Sequence, residues 1–281
     1  MSLFDGRNQL LTMTAVIFFV HEIVYFTRFL PFWLCDFVPA FQKYKIQQIF
    51  YGKRRMAGVV VSAWSGRLPY ASAAGKAFRG VLFSHFFIQL PMMLFFDPVA
   101  EAFGMKVTDV PFPGWRVTVK HLAVFFVFED FFHYWMHRAL HWGYGNFQTA
   151  EYAHPVETFI LGFGTLGGPL LWAMLTGDLH IVTVITWMVF RMIQAIDAHS
   201  GYDFPWSLRR WFPLWSGAEF HDYHHEAFVN NYATSFRFWD WLCGTDVKYK
   251  AHRARQRAAK AEVSARPSTA SAQTTELSKE E

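Results

Sequence analysis

The chain has 281 residues, 53% apolar, 20% aromatic and only 17% charged, with a formal net charge of +4. Ordinary soluble domains are about 25% charged, so a water-soluble globule with a normal surface is excluded, as are disorder over most of the length and nucleic-acid binding. Two cysteines, Cys35 and Cys243, exclude a disulfide framework and a CxxC metal site.

In chain order, four regions are apolar and long enough to cross or deeply enter a bilayer, which takes about 20 residues. The first runs from about Gln9 to Leu30, interrupted by His21 and Glu22. No small-residue cleavage site marks it as removable, so it reads as a retained anchor. The second covers about Gly80 to Phe96, with Pro91 near its end, and the third about Val117 to Trp135. The fourth is a pair, Thr158–Thr176 and Leu179–Ile196, separated by Gly177 and Asp178. That pair is either two spans or a hairpin that dips in and returns. Gly162, Gly164, Gly167 and Gly168 read as close helix packing, because no G-x-G-x-x-G follows a strand. Strand signals are weak throughout.

Loop charge predicts an orientation. Lys43, Lys45, Lys53, Arg54, Arg55, Arg67, Lys76 and Arg79 lie between the first and second regions, against only Lys106 and Arg116 between the second and third. The positive-inside rule puts the 31–79 loop in the cytoplasm, and the third region then returns everything after His133 to that face. From about Ala251 the composition turns to Ala, Ser, Thr, Glu and Lys, which predicts a disordered tail over 251–281. The expected architecture is all-α. Residues 1–116 form a membrane anchor with a basic cytoplasmic loop, residues 117–250 a catalytic region, and the whole is an integral membrane bundle with a cytoplasmic histidine-rich metal-binding cap.

Nine of thirteen histidines fall between His133 and His225. In FEDFFHYWMHRALH, His133, His137 and His141 recur at four-residue steps, so on a helix neighbouring pairs share a face and can grip one ion. In EFHDYHHEAF, His221 and His224 are one turn apart and His225 offers a third ring. His154 and His199 lie between these boxes. Imidazole suits iron, zinc, copper and nickel, and zinc usually takes four ligands, or three plus water. Seven candidates (His137, His141, His154, His199, His221, His224 and His225) exceed what one zinc uses and favour two metals. His21, His85, His121 and His180 read as polar partners or interfacial residues. Glu129 and Asp130 are costly in an apolar helix. Two roles are open to them: accepting the free N–H of a ligating imidazole, or a salt bridge to Arg138 or Arg191. Phe131, Phe132, Tyr134, Trp135 and Trp172 are either an entrance lining or ordinary lipid-facing aromatics.

HRALH, EYAHPVE, GFGTLGGP, AHSGYDFPW and FHDYHH, in this order, resemble the fatty acid hydroxylase/sterol desaturase superfamily, and within it most closely the C-4 methylsterol oxidases. The similarity covers about Val117 to Lys250. It implies an endoplasmic reticulum membrane enzyme with a histidine-bound di-iron centre. It also implies dioxygen as co-substrate, with electrons relayed from NAD(P)H by a reductase and a cytochrome b-type donor. The reaction implied is oxidation of a sterol C-4 methyl to the carboxylate, beside other sterol C-4 demethylation enzymes. By position, His137 and His141 match the first box, His221, His224 and His225 the third, His199 an additional ligand, and His154 a further family histidine. The family pattern also has a second H-x-x-H-H box before EYAHP. Here only WGYGNFQT separates His141 from AEYAHP, and roughly fourteen residues are absent. Three readings follow: His133 and His154 are recruited, one metal is held, or the chain is inactive and only binds sterol or a partner. A sterol desaturase or lipid hydroxylase is the alternative within the same chemistry.

Overall fold

The computed structural model describes residues 6–46, 70–143, 155–227 and 229–265. In chain order the elements are α1 (Gln9–Cys35), a 3-10 turn (Pro39–Tyr44), α2 (Tyr70–Ser84), a π-helical segment (His85–Gln89) and α3 (Leu90–Ala102). There follow β1 (Met105–Lys106), α4 (Trp115–Gly143), α5 (Pro155–Thr176), β2 (Leu179–His180) and α6 (Ile181–Ala198). Among the described residues four more helices follow: α7 (Leu208–Trp211), α8 (Gly217–Ala227), α9 (Phe238–Leu242) and α10 (Val247–Ala265). As the weak strand signals predict, β1 and β2 are two-residue strands that pair parallel, Met105 with Leu179 and Lys106 with His180.

Among the described residues, four helical stretches are long and apolar enough to cross a membrane: Gln9–Cys35, Phe78–Ala102, Pro155–Thr176 and Ile181–Ala198. The predicted pair therefore resolves into two full-length helices, with Gly177 at φ +61° in the turn between them. The 117–135 stretch, expected to span, is the inner part of α4 and falls outside this set of four. Glu129 and Asp130 turn inward from it and are buried, so α4 acts as the polar-faced member of the bundle. Half of the apolar stretch of α6 is buried against about a quarter for the others, so α6 is the central helix.

Asn8 caps α1 by accepting from the backbone N–H of Leu11 at 3.0 Å. The bundle has two distinct ends. At one, Met105, Leu179, Ile181 and Ala100 close a core that includes Met13, Ile17, Phe96, Phe125 and Trp187. At the other, Phe32 of α1 packs with Ile196, Tyr202 and Phe204, and Arg28 forks onto Asp197 through two 2.7 Å bonds. The start of the basic loop joins this second end, where Ile46 N–H donates to Gly201 and Asp203 N–H to Tyr44. Its described lysines thus share one end of the molecule with the segment after His199.

The α5 glycines behave as read from sequence. A Cβ on Gly164 would meet Phe132 at 2.9 Å, and one on Gly167 would meet Phe128 at 2.9 Å. Gly167→Leu is therefore expected to destabilise the fold by about 1–3 kcal/mol through overpacking. Gly162→Ala, which would meet only the flexible end of Met92, is expected to be tolerated. Denaturation in detergent compares the two.

The polar segment expected to be unstructured from 251 is helical to Ala265, as part of α10; residues 266–281 lie outside the described residues. Ala, Arg, Lys and Glu are strong helix formers, and α10 is anchored by Tyr249 against Phe220 and by an Arg253–Glu219 ion pair.

Candidate metal centre

Three elements bring the histidine boxes together at the second end of the bundle. The C-terminal turns of α4 carry His133, His137 and His141, α8 carries His221, His224 and His225, and His199 is the C-cap of α6. Gly217, at φ +69° with its Cα against the Arg209 side chain, starts α8 where a side chain would collide.

Six rings sort into two triads, His137–His141–His224 and His199–His221–His225. In the first, the Nε2 atoms of His137 and His141 are 3.2 Å apart, and both rings lie 4.5–5.0 Å from that of His224. In the second, His221 Nε2 is 2.8 Å from His199 Nε2 and 3.0 Å from His225 Nε2. Two nitrogens at right angles on an ion about 2.1 Å away are about 3.0 Å apart, so these separations fit ligands of one ion per triad. His221 and His224 occupy successive turns of α8, with ring centroids 5.9 Å apart, and set the two sites side by side.

Three of the remaining ring nitrogens support that reading, while His221 Nδ1 has no hydrogen-bond partner among the described residues. His137 Nδ1–H donates to the Tyr232 carbonyl at 3.0 Å, His224 Nδ1–H to that of Asn230 at 2.7 Å, and His199 Nδ1–H to that of Ala195 at 2.7 Å. A carbonyl only accepts, so each Nε2 is left bare, the arrangement that orients a metal-ligating histidine. Two of these carbonyls come from the turn at Asn230 and Asn231, both in the left-handed region at φ +69° and +54°, which asparagine tolerates. Asp240 fixes that turn by accepting from Tyr232 and Ala233 N–H at 3.0 and 2.8 Å.

Burial, reinforced by the neighbouring imidazoles, holds His221 and His224 well below the usual histidine range. Burial and His137 push His141 down to about 4. These rings are therefore neutral donors. Each binds a proton less readily in the folded chain, so the unfolded chain takes up more protons below about pH 6.5. Chelator-stripped protein is expected to lose stability as pH falls from about 6.5 towards 4. Melting temperatures at pH 7.5 and 5.5 check this, and an acid-insensitive value contradicts it.

The other candidates are placed differently. His133 belongs to neither triad. It lies one turn before His137, ring centroids 5.3 Å apart, with Nδ1 3.3 Å from Glu129 Oε1. His154 lies outside the described residues, as does the connection where the second box is expected. Glu129 takes the ion-pair role, with Arg191 at 2.5 Å, and also accepts from Ser235 Oγ at 3.2 Å. Asp130 accepts from the Ser235 and Phe236 N–H groups at 3.1 and 2.8 Å. It therefore ties α4 to the 230–237 segment and touches no ring of the triads. Glu157 was missed by sequence reasoning. Its Oε1 is 3.3 Å from His137 Nε2, and its one signal was an acid in the first turn of an apolar helix. His21, Glu22 and His85 form a third polar group inside the bundle, with Glu22 Oε1 3.0 and 2.9 Å from the two Nδ1 atoms. His180 caps α6.

A cavity of about 380 Å³ runs from His199 and His133 into the bundle, between α1, α3, α5 and α6. Its walls are largely apolar, including Ile17, Phe29, Met92, Phe96, Leu166 and Trp187, and its size is that of a small-ligand site. None of the five aromatics considered for an entrance lines it. Tyr134 is buried and bonded to Thr245, Phe132 packs on Gly164, and Trp172 donates to the Asp178 carbonyl. Phe131 and Trp135 pack on Trp239, away from the cavity.

Residues 122–245 match the fatty acid hydroxylase family. The chain is 43% identical to methylsterol monooxygenase erg25B of Aspergillus fumigatus, covering 89% of this chain and 83% of that protein. It is 39% identical to C-4 methylsterol oxidase erg25 of Schizosaccharomyces pombe, over 91% and 84%. It is also 39% identical to the C-4 methylsterol oxidase of Candida albicans, over 89% and 80%. No solved structure matches.

Proposed function

We propose, for a chain that belongs to the fatty acid hydroxylase family and to its methylsterol monooxygenase branch, that it oxidises a sterol C-4 methyl group with dioxygen at a two-iron centre held by the two histidine triads. The observation that carries this reading is the pair of triads, one of whose rings, His199, lines a largely apolar cavity between bilayer-length helices. The names of the relatives support the substrate and reaction class.

His137, His141 and His224 would hold one iron and His199, His221 and His225 the other, with Glu157 beside the first. Iron with dioxygen and electrons supplies the oxidant that an unactivated methyl C–H requires. The chain's own residues do the rest. Ala195, Asn230 and Tyr232 carbonyls fix three imidazoles so that their Nε2 atoms would be free to hold an ion. The apolar walls from Ile17 to Trp187 take the sterol body from lipid and keep water from the reacting carbon. His199, a wall of the cavity and a member of the second triad, sets where the methyl group arrives. Successive oxidations to alcohol, aldehyde and carboxylate then occur on one carbon held in one place. Electrons from NAD(P)H, through a reductase and a cytochrome b-type donor, arrive from the aqueous side. We assign that side to the cytoplasm, and the membrane to the endoplasmic reticulum, on loop charge and family. Other sterol C-4 demethylation enzymes would consume the carboxylate.

Feeding a 4,4-dimethyl sterol to the reconstituted chain with a reductant tests the proposal. The expected product carries a C-4 carboxylate, with its alcohol as an earlier species. A new ring double bond identifies a sterol desaturase, and oxidation elsewhere a lipid hydroxylase. The short connection after His141 favours one second reading, a chain that binds sterol or a partner without turnover. It predicts bound sterol, no iron and no product.

A further inference from the structure

We propose that His133 is the hydrogen-bond acceptor for the substrate's hydroxyl group, the one on the carbon next to the reacting C-4; this rests on the methylsterol reading above. His133 is the histidine of the first box that neither triad uses. It is 6% exposed, its ring lines the cavity, and both Nδ1 and Nε2 are buried without a hydrogen-bond partner among the described residues. A buried polar atom left unsatisfied costs about 1–3 kcal/mol, so packing alone does not account for an imidazole here.

The tautomer follows from the neighbours. Nδ1 faces Glu129 Oε1 at 3.3 Å, and that carboxylate is fixed by Arg191 and Ser235. That contact lacks hydrogen-bond geometry, but the negative charge beside Nδ1 favours the ring proton there and leaves the lone pair on Nε2. The cavity ligand best matched to that atom is a hydroxyl, which donates. Arg191, also in the wall, gives its two terminal nitrogens to Glu129 and Gln194. Its Nε–H has no partner among the described residues but can only donate, so it does not duplicate the acceptor at His133.

Position selects which hydroxyl. One helical turn, about 5.4 Å, separates His133 from His137 along α4, and His199 of the second triad lines the same cavity. A group bonded to His133 Nε2 therefore sits just inside the metal level. A sterol carries its hydroxyl on C-3, adjacent to C-4, so anchoring that oxygen at His133 brings the C-4 substituents to the triads and sends the ring system and tail down the apolar cavity. A 3-keto compound, which has no proton to donate, would meet lone pair with lone pair.

The test is equilibrium binding of a 4,4-dimethyl-3-hydroxysterol and of its 3-keto and 3-deoxy analogues to the full chain in lipid nanodiscs, with iron counted in the same samples. The wild type is expected to bind the hydroxysterol about tenfold more tightly than either analogue, the effect of one hydrogen bond. His133→Phe is expected to erase that preference with iron unchanged, and His133→Gln, which keeps an acceptor, to restore part of it. Equal binding of the three sterols by the wild type overturns the proposal even if His133→Phe fails to fold. Iron loss in His133→Phe overturns it too, by making His133 a ligand. A chain that holds iron but binds none of the sterols overturns the function itself.

Discussion

His221→Ala is expected to remove close to one iron per chain and to lower product formation by at least about 100-fold. His221 is the hub of the second triad, since its Nε2 stands 2.8 Å from that of His199 and 3.0 Å from that of His225. Loss of partners that merely orient a ligand costs about 10- to 100-fold, so loss of the ligand sets that range as a floor. The first triad does not include His221 and is expected to keep its ion. Iron analysis beside product analysis checks both halves. Full occupancy in the variant removes His221 from the ligand set.

The largest effect on stability is expected at Glu129. Its side chain is fully buried, it holds Arg191 at 2.5 Å and Ser235 Oγ, and it lies 3.3 Å from His133 Nδ1. Glu129→Ala leaves the Arg191 guanidinium buried without its counter-charge, which costs about 3–5 kcal/mol. Exchanging both partners for apolar residues, Glu129→Leu with Arg191→Met, is expected to cost less than Glu129→Ala alone, because no unpaired charge remains. The Arg28–Asp197 fork is a control. Its side chains are 42% and 39% exposed, so its loss is expected to cost no more than about 1 kcal/mol. Unfolding in detergent ranks the three. A Glu129→Ala protein as stable as Asp197→Ala would contradict the burial on which the α4–α6 packing rests.

The parts of this site legible in the sequence are those set by local periodicity. Four-residue spacing on α4, H-x-x-H-H on α8 and the break at Gly177–Asp178 each depend on one element's own geometry. The glycines of α5 were legible for the same reason. What could not be read is the pairing across elements. That His224 joins His137 and His141 while its neighbour His225 joins His199 depends on how α8 lies between α4 and α6, and no spacing encodes that. The carbonyls of Ala195, Asn230 and Tyr232 are backbone groups, invisible to any search by residue type. Glu129 illustrates a choice left open by charge alone. Arg138 is nearer in sequence, but its guanidinium reaches the Tyr134 hydroxyl one turn back on α4, and the buried Arg191 takes the carboxylate. Residues 251–265 read as tail because they lack apolar content, yet the helix preference of Ala and Arg and the Arg253–Glu219 pair order them.

The account stands on two ions, one inside each triad, at the end of the bundle that also carries Tyr44 and Ile46 at the start of the basic loop. Anomalous diffraction at the iron edge from the metal-loaded full chain locates them directly. The predicted result is two peaks, one enclosed by His137, His141 and His224 and the other by His199, His221 and His225. A single peak, or iron bound away from both triads, would contradict it.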